Sequence, residues 1–426
     1  MKTTKKFVLT DDQIPTQWYN VLADLPDLMP MLNPKTRKPL CKSDLEPLFA
    51  KGLIEQEFSK DRWIDIPEEV RTLLKIYRPS PLVRASGLEK ALDTPAKIYF
   101  KNESVSPVGS HKLNSAIPQA YYNKIDGVEH LTTETGAGQW GSAISIAAQH
   151  FGMDAEVFMV RLSYEQKPYR KVVMKTYGGT VHPSPSTTTQ IGRELLEKYP
   201  NTPGSLGMAI SEACERALSQ ANTKYTLGSV LNFVTLHQTI IGLEAEKQFE
   251  LAQDYPDIII GAFGGGSNFG GISLPFLRHQ LEGKHKFQFI AAESDSCPKL
   301  TKGEFKYDFG DVSGMTPLIP MYSLGSDYQP SSSHAGGLRY HGAGSVMSHL
   351  LKNDIISAQD ISQEECLKCG VLFSRSEGII PAPESCHAIA VAVREALKAK
   401  EEGKEKTILF TLSGHGLLDL AAYENI

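Results

Sequence analysis

At 426 residues the chain is too long for one ordinary domain and suits two or three. Its 41% hydrophobic and 22% charged residues are those of a soluble globular protein, and a net charge of −5, from 49 acidic and 44 basic residues, argues against a general nucleic-acid binder. No apolar run is long enough to span a membrane and no apolar core follows the basic start Met1-Lys2-Thr3-Thr4-Lys5-Lys6, so a cytoplasmic protein without a signal peptide is expected.

Residues 1–75 are rich in charge and are punctuated by Pro15, Pro26, Pro30, Pro34, Pro39 and Pro47. They read as short helices and extended links wrapped on a body, with a helix start at Ser43-Asp44-Leu45-Glu46. Residues 78–83 are extended, 88–92 suit one helical turn, and 96–103 alternate like a strand. Ser110-His111-Lys112-Leu113-Asn114 then leads into a helix whose apolar face carries Leu113, Ile117, Ala120 and Tyr121. Lys112 falls in its first turn, where the positive helix end disfavours an ammonium and suits an amine that must act as a nucleophile.

A strand at 131–133 precedes a helix at 140–151, a buried parallel strand at 155–160 and a helix at 166–177 that stops at Gly178-Gly179. Helices follow at 187–199, 206–221 and 239–252, then strands at 257–263 and 287–293. Residues 300–345 are loop-like, rich in Gly, Ser and Pro, and so mark a functional surface. Helices at 362–375 and 388–400 precede a last strand, 406–412, ended by Ser413-Gly414-His415-Gly416. The alternation predicts an α/β chain of two lobes, each with a mainly parallel sheet flanked by helices. Glu134, Gly264–Asn268 and Ser413 all follow strands and can converge on one cleft.

Gly264-Gly265-Gly266-Ser267-Asn268 can cradle a phosphate, because backbone N–H groups without a Cβ approach an anion closely at a helix start. It is no dinucleotide fingerprint, since Phe269 stands where the last glycine belongs, and it lacks the Lys-Ser/Thr ending of a P-loop. Thr135-Gly136-Ala137-Gly138-Gln139 is a second anion cradle that suits a substrate carboxylate. Glu134, just before it, can act as general acid and then base from a closed cleft; a helix-capping acid is the plainer alternative. Ser413 offers a neutral hydroxyl to a ring nitrogen, although a serine in a turn means little alone. His111 can stack on a ring or touch a phosphate, a reading that depends on Lys112. The six cysteines form no disulfide framework, and Cys366-x-x-Cys369 lacks the partners of a zinc site; two cysteines in a polar helix is the plainer reading, with redox use as the alternative.

Together these stretches resemble the tryptophan synthase β-subunit family, pyridoxal-phosphate (PLP) enzymes of fold type II, and most of all its divergent second branch. The matching segments are Gly109–Asn114, Glu134–Gln139, Gly264–Asn268, Glu377-Gly378-Ile379-Ile380-Pro381-Ala382 with Glu384-Ser385, and Leu412-Ser413-Gly414, in the family's order from about residue 75 onward. The resemblance implies that Lys112 carries PLP as a Schiff base, with His111 and Asn114 beside the cofactor. It implies that Gly264, Gly265, Gly266, Ser267 and Asn268 hold the phosphate, that Ser413 faces the ring nitrogen, and that Glu377 lies near the ring. Thr135, Gly136, Ala137, Gly138 and Gln139 would bind the carboxylate of the amino acid. Lys112 and Glu134 would be the catalytic pair in the replacement of the L-serine hydroxyl by indole. A homodimer and a monovalent cation, K or Na, at a position the sequence does not locate, are implied as well. By the same resemblance residues 76–110 and 225–426 form a larger PLP-binding lobe, and 111–224 a smaller mobile lobe with the carboxylate loop.

The chain departs from the common branch at Trp140, at the run 333–342 and at His415. These changes bear on how the indole site closes, on partnership with an α-subunit, and on the donor, with O-phosphoserine as the alternative to L-serine. Two other readings stay open here: another PLP lyase of this fold, such as a serine/threonine dehydratase or threonine synthase, and an inactive regulatory partner. The paired Glu134 and carboxylate loop weigh against the first, and intact Lys112, Glu134 and Ser413 against the second.

Overall fold

Strand Thr407–Leu412 is buried along its whole length, as a central strand covered on both faces must be. In the computed structural model, which describes residues 4–424 and Ile426, it lies near the middle of a seven-stranded sheet. Met1, Lys2 and Thr3 of the basic start lie outside the described residues. The sheet order is Lys6–Phe7, Leu82–Arg84, Lys97–Asn102, Thr407–Leu412, Ile258–Ala262, Gln288–Ser294 and Ser357–Ile361. Lys6–Phe7 with Leu82–Arg84 and Leu82–Arg84 with Lys97–Asn102 pair antiparallel, and the other four pairs are parallel, in registers such as Leu412 with Asn102 and Ile258 with Gln288. Helix Pro383–Glu402 lies against this sheet through the small side chains Ala388, Ala392 and Ala396. Phe100, Phe373 and Phe410 fill the space between sheet and helices, with ring centroids 5.3 to 5.9 Å apart.

A second, four-stranded sheet runs Thr180–Ser184, Asp154–Val160, His130–Thr135 and Thr223–Thr226, all parallel. The fold is thus the α/β architecture of parallel sheets flanked by helices. The N-terminal segment is built into it rather than merely laid over it. Lys6–Phe7 extends the large sheet, and Gln17–Tyr19 pairs with Trp63–Asp65. Trp18 is fully buried, its ring 4.7 Å from that of His237.

The structure departs from the expected elements where apolar periodicity is weak. Residues 300–345, expected as loop, contain a hairpin of Glu304–Phe309 and Leu318–Ser323 followed by a turn of helix at Gly336–Leu338. The hairpin's connection is closed by the Asp311 carboxylate, which accepts the N–H groups of Ser313, Met315 and Thr316. Strands Thr180–Ser184, Thr223–Thr226 and Ser357–Ile361 were not anticipated; all three are sheet edges, so less of each is apolar. Among the described residues no helix is long and apolar enough to cross a membrane.

Candidate active site

Strands of both sheets deliver their carboxyl ends to one cavity of about 1140 Å³, mouth included. His130–Thr135 brings Glu134 and Thr135, Ile258–Ala262 leads into Gly264, and Thr407–Leu412 ends at Ser413. Lys112 enters from the loop before helix Leu113–Ile125. Its backbone is already helical (φ −60°, ψ −30°), but it caps the helix rather than lying in its first turn. Its Nζ donates to the Gly228 carbonyl at 2.6 Å and to Ser267 Oγ at 3.2 Å. Burial pushes the amine down to about 8, while the Glu134 and Glu384 carboxylates pull the other way. Desolvation therefore tunes Lys112, where the sequence had suggested the helix end.

Glu134 is shifted in the opposite sense. Burial lifts its carboxyl to about 7 against the pull of the Tyr225 hydroxyl, backbone amides and the Lys112 charge. Tyr225 donates to Glu134 Oε2 at 2.5 Å. The cavity thus holds an amine and a carboxyl that both change protonation near neutral pH, the condition for moving protons in both directions.

The glycine-rich turn makes the anion cradle. Gly266 sits at φ +117°, and a Cβ on Gly264 would come within 2.5 Å of the Gly337 carbonyl oxygen. Helix Ser267–Leu281 starts there, so its free N–H groups and positive end face the turn. Ser229 Oγ and both amide atoms of Asn268 are buried beside it without a hydrogen-bond partner. Buried polar groups are rarely left so, and these await a ligand with several oxygens.

Thr135, Gly136, Ala137 and Gln139 line the cavity, and Gly138, at φ +95°, makes the turn behind them against Arg170. Gln139 starts helix Gln139–His150, and its amide donates to Glu384 Oε2 at 3.1 Å. Glu384 Oε1 in turn accepts from the Gly337 N–H at 2.8 Å. His111 places Nδ1 3.3 Å from the Ser413 carbonyl and leaves Nε2 unpartnered. Burial and the neighbouring Lys112 charge push it down to about 3, so the ring is neutral. Ser413 Oγ lies 2.7 Å from Ser385 Oγ.

Two expected cofactor residues lie elsewhere. Glu377 ends helix Gln363–Glu377 away from the cavity, where its carboxylate accepts the Leu88 N–H at 2.9 Å and pairs with Lys5 at 2.7 Å. The part of that motif that reaches the cavity is Glu384, with Ser385 behind Ser413, at the start of the next helix. Asn114 points into a buried ionic network, accepting from Arg78 at 2.8 Å and donating to Glu103 and Gln238 at 3.0 Å. It fixes the helix that follows Lys112 without lining the cavity.

The departures cluster at the far side. Trp140 lines the cavity and donates to Thr133 Oγ1 at 2.6 Å. From the run 333–342, Gly336, Gly337, Leu338 and Tyr340 line it, while Arg339 donates to Ser163 Oγ at 2.8 Å. Lys167 and Arg170 both pair with Asp419, at 2.7 and 2.9 Å, and tie the small sheet's helices to the C-terminal segment. His415 packs against Gly109 and accepts the Leu417 N–H at 3.2 Å. Cys366 and Cys369 are free thiols on one helix, with Cys366 Sγ 3.2 Å from His387 Nδ1. Among the described residues no group of three or more His, Cys, Asp or Glu side chains could hold a metal ion.

Sequence reasoning missed Tyr225, Ser229 and the apolar wall of the cavity. Leu48 and Phe49 of the N-terminal segment, Ile210, Leu227, Ile319 and Tyr340 form that wall. They come from five separate stretches and share no motif. Such a surface takes a flat apolar molecule, next to an amine, a carboxyl and two anion cradles.

A family described as pyridoxal-phosphate dependent enzymes matches residues 73–414. The chain is 58% identical to tryptophan synthase beta chain 2 of Thermotoga maritima, with 97% of this chain and 98% of that one covered. It is 56% identical to the protein of the same name from Methanosarcina mazei, covering 98% and 95%. It is 58% identical to the tryptophan synthase beta chain of Thermosipho africanus, covering 98% and 100%. Among solved structures, a fungal L-serine ammonia-lyase from Rhizomucor miehei superposes with a TM-score of 0.59 over 81% of this chain and 96% of that one. At 16% identity that likeness is one of fold.

Proposed function

The chain belongs to the tryptophan synthase β-chain family of pyridoxal-phosphate-dependent enzymes, and from that premise we propose that it joins L-serine and indole in this cavity to give L-tryptophan and water. It is a PLP-dependent lyase of tryptophan biosynthesis; the donor, the residue roles and the assembly are the proposed part. The observation that carries the reading is the opposed pair, Lys112 lowered to about 8 and Glu134 raised to about 7, in one cavity.

The residues present fit the cofactor. The unpartnered Ser229 and Asn268 side chains and the Gly264–Ser267 backbone suit its phosphate, and Ser413, neutral and backed by Ser385, suits its ring nitrogen. When bound, PLP supplies an aldehyde that takes an amine and a ring that withdraws electrons from the α-carbon of the attached amino acid. Lys112 is the amine for it. Thr135–Gln139 hold the substrate carboxylate at a helix start, where backbone N–H groups compensate the charge.

With its amine free, Lys112 would take the proton from the substrate α-carbon at Nζ, which is already lowered to about 8. Glu134, protonated near neutral pH, gives its proton to the serine hydroxyl, which leaves as water. The apolar wall holds indole with C3 towards the β-carbon; the Glu134 carboxylate balances charge on the indole N–H as the C3–Cβ bond forms, and the proton released from C3 returns Glu134 to its acid form. Lys112 returns a proton to the α-carbon. The neutral Ser413 draws less charge into the ring than an acid would, which favours replacement over transamination. A homodimer, a monovalent cation near the cavity and an α-subunit partner belong to the same proposal.

The test is the absorbance of the protein with PLP, recorded before and after L-serine and then indole. The cofactor band should move with serine, return with indole, and tryptophan should appear. A band that serine leaves unmoved and O-phosphoserine shifts would replace the donor in this reading.

A further inference from the structure

We propose that Tyr225 is a positioning residue for Glu134: it holds one carboxyl oxygen by hydrogen bond so that the other is free to meet the substrate, and the N-terminal segment holds Tyr225 in that place. The inference rests on Glu134 being the acid and base of the reaction.

Tyr225 lies in the edge strand Thr223–Thr226 of the small sheet, paired directly with strand His130–Thr135, which carries Glu134. Its hydroxyl reaches Glu134 Oε2 at 2.5 Å, and both residues line the cavity. Among the described residues no other side chain hydrogen-bonds the Glu134 carboxyl; its remaining support comes from the backbone amides of Glu134 and Gly228. A carboxyl group with one oxygen fixed has its remaining oxygen aimed, and a proton donor must be aimed to within a fraction of an ångström to be useful. Tyr225 is not itself the acid. Burial and the nearby Glu134 charge push its hydroxyl well above the ordinary tyrosine range, so it stays protonated and keeps a proton to donate to the carboxylate.

The edge strand is fixed from outside the sheet. The Tyr225 N–H donates to the Leu48 carbonyl at 2.9 Å, and its ring centroid lies 5.7 Å from that of Phe49, which in turn packs edge-on against Phe233 at 5.7 Å. The N-terminal segment thus supplies the missing neighbour of an edge strand and sets where the tyrosine points. The other titratable groups that face Glu134 come from other elements: Lys112 before helix Leu113–Ile125, Cys214 on helix Leu206–Ser219, and Tyr340 on the run 333–342. Of these only Lys112 favours the ionised carboxylate, and it remains in place when Tyr225 is changed.

The experiment follows the protonated carboxyl of Glu134 by difference infrared spectroscopy in the cofactor-free protein, with the band assigned by its loss in Glu134→Gln. Tyr225→Phe keeps the ring on Phe49 and removes only the donor. Loss of a hydrogen bond to the charged form raises the carboxyl's pKa, so the band should persist to higher pH by roughly one to two units. The same shift should appear in the pH dependence of kcat, with KM for indole little changed because the apolar ring remains. Phe49→Ala should move both readouts in the same direction by less. A band and a kcat limb that coincide with wild type in Tyr225→Phe, while Glu134→Gln is inactive with serine, would overturn the positioning role alone. Full activity of Glu134→Gln would instead remove the acid–base role on which the inference rests.

Discussion

The Gln139 side chain donates to Glu384 across the cavity at 3.1 Å, and so joins the loop expected to bind a carboxylate to the helix that begins behind Ser413. Glu384 also accepts the Gly337 N–H at 2.8 Å, so one carboxylate ties together three segments that are far apart in sequence. Glu384→Ala should therefore loosen the carboxylate loop more than it disturbs the chemistry. The loss of a hydrogen bond to a charged group predicts a rise in KM for L-serine of roughly tenfold, with a smaller fall in kcat. Steady-state kinetics in serine decide it: a change confined to kcat would mean that Glu384 acts on the reacting atoms instead.

Lys112 costs the protein stability. Its folded-state pKa of about 8 lies below the ordinary lysine value of 10.5, so folding disfavours the charged form. At pH 7 the amine is charged in both states and the full penalty applies; it is relieved as pH rises from about 8 to 10.5. Cofactor-free Lys112→Met should be more stable than the cofactor-free parent at pH 7 by about 1–3 kcal/mol, the lower figure allowing for the solvent that reaches the cavity. The difference should shrink towards pH 10.5. Denaturant titrations at several pH values measure it, and equal stability at pH 7 would contradict the burial of the amine. The same variant should show no Schiff-base absorbance and no turnover.

Glu134 is needed to the extent that the leaving group needs a proton. Glu134→Gln should leave the cofactor absorbance intact and lower the rate with L-serine by a hundredfold or more, on the order of what a general acid contributes. With β-chloro-L-alanine, whose chloride leaves without a proton, the loss at that step should largely disappear. Rapid-mixing absorbance with the two donors compares them directly. An equal loss with both would assign Glu134 to binding rather than to proton transfer.

The central strands and the turns that end them were legible because their residues have few other uses. Ile258–Ala262 is a continuous apolar run and Thr407–Leu412 is apolar but for Thr407 and Thr411, and three consecutive glycines before Ser267 have no reason to exist in a packed core unless a backbone must be approached. The edge strands were not legible, because Thr180–Ser184 and Thr223–Thr226 share one face with solvent or side-chain networks and mix threonine with polar residues. The hairpin at 304–323 was hidden for a different reason: its connection depends on Asp311, a tertiary arrangement of one carboxylate with three N–H groups. Glu377 was misplaced because a motif was treated as one unit. Six residues separate it from Glu384, and between them the chain leaves one helix and starts another. The apolar wall has no local signature, since Leu48 and Ile319, far apart in sequence, come together only in the folded chain.

The cradle makes a prediction that separates ligand binding from folding. Gly265 needs no unusual backbone angle, so its smallness serves space alone. A Cβ there would lie 2.4 Å from Ser229 Oγ and 2.9 Å from Val230 Cγ2, closer than such atoms approach, and Ser229 is one of the unpartnered groups assigned to the phosphate. Gly265→Ala should push the Ser229 hydroxyl off its place and narrow the turn. PLP affinity should fall roughly tenfold or more, because a displaced donor in a buried anion site costs about one hydrogen bond to charge. The thermal midpoint of the cofactor-free protein should move far less, since the serine is the end of a short side chain that can turn away. Absorbance titration with PLP and a melting curve without it measure the two effects. If affinity were unchanged while the midpoint fell, the glycine would be serving packing, and the phosphate would have to be held elsewhere in the cavity.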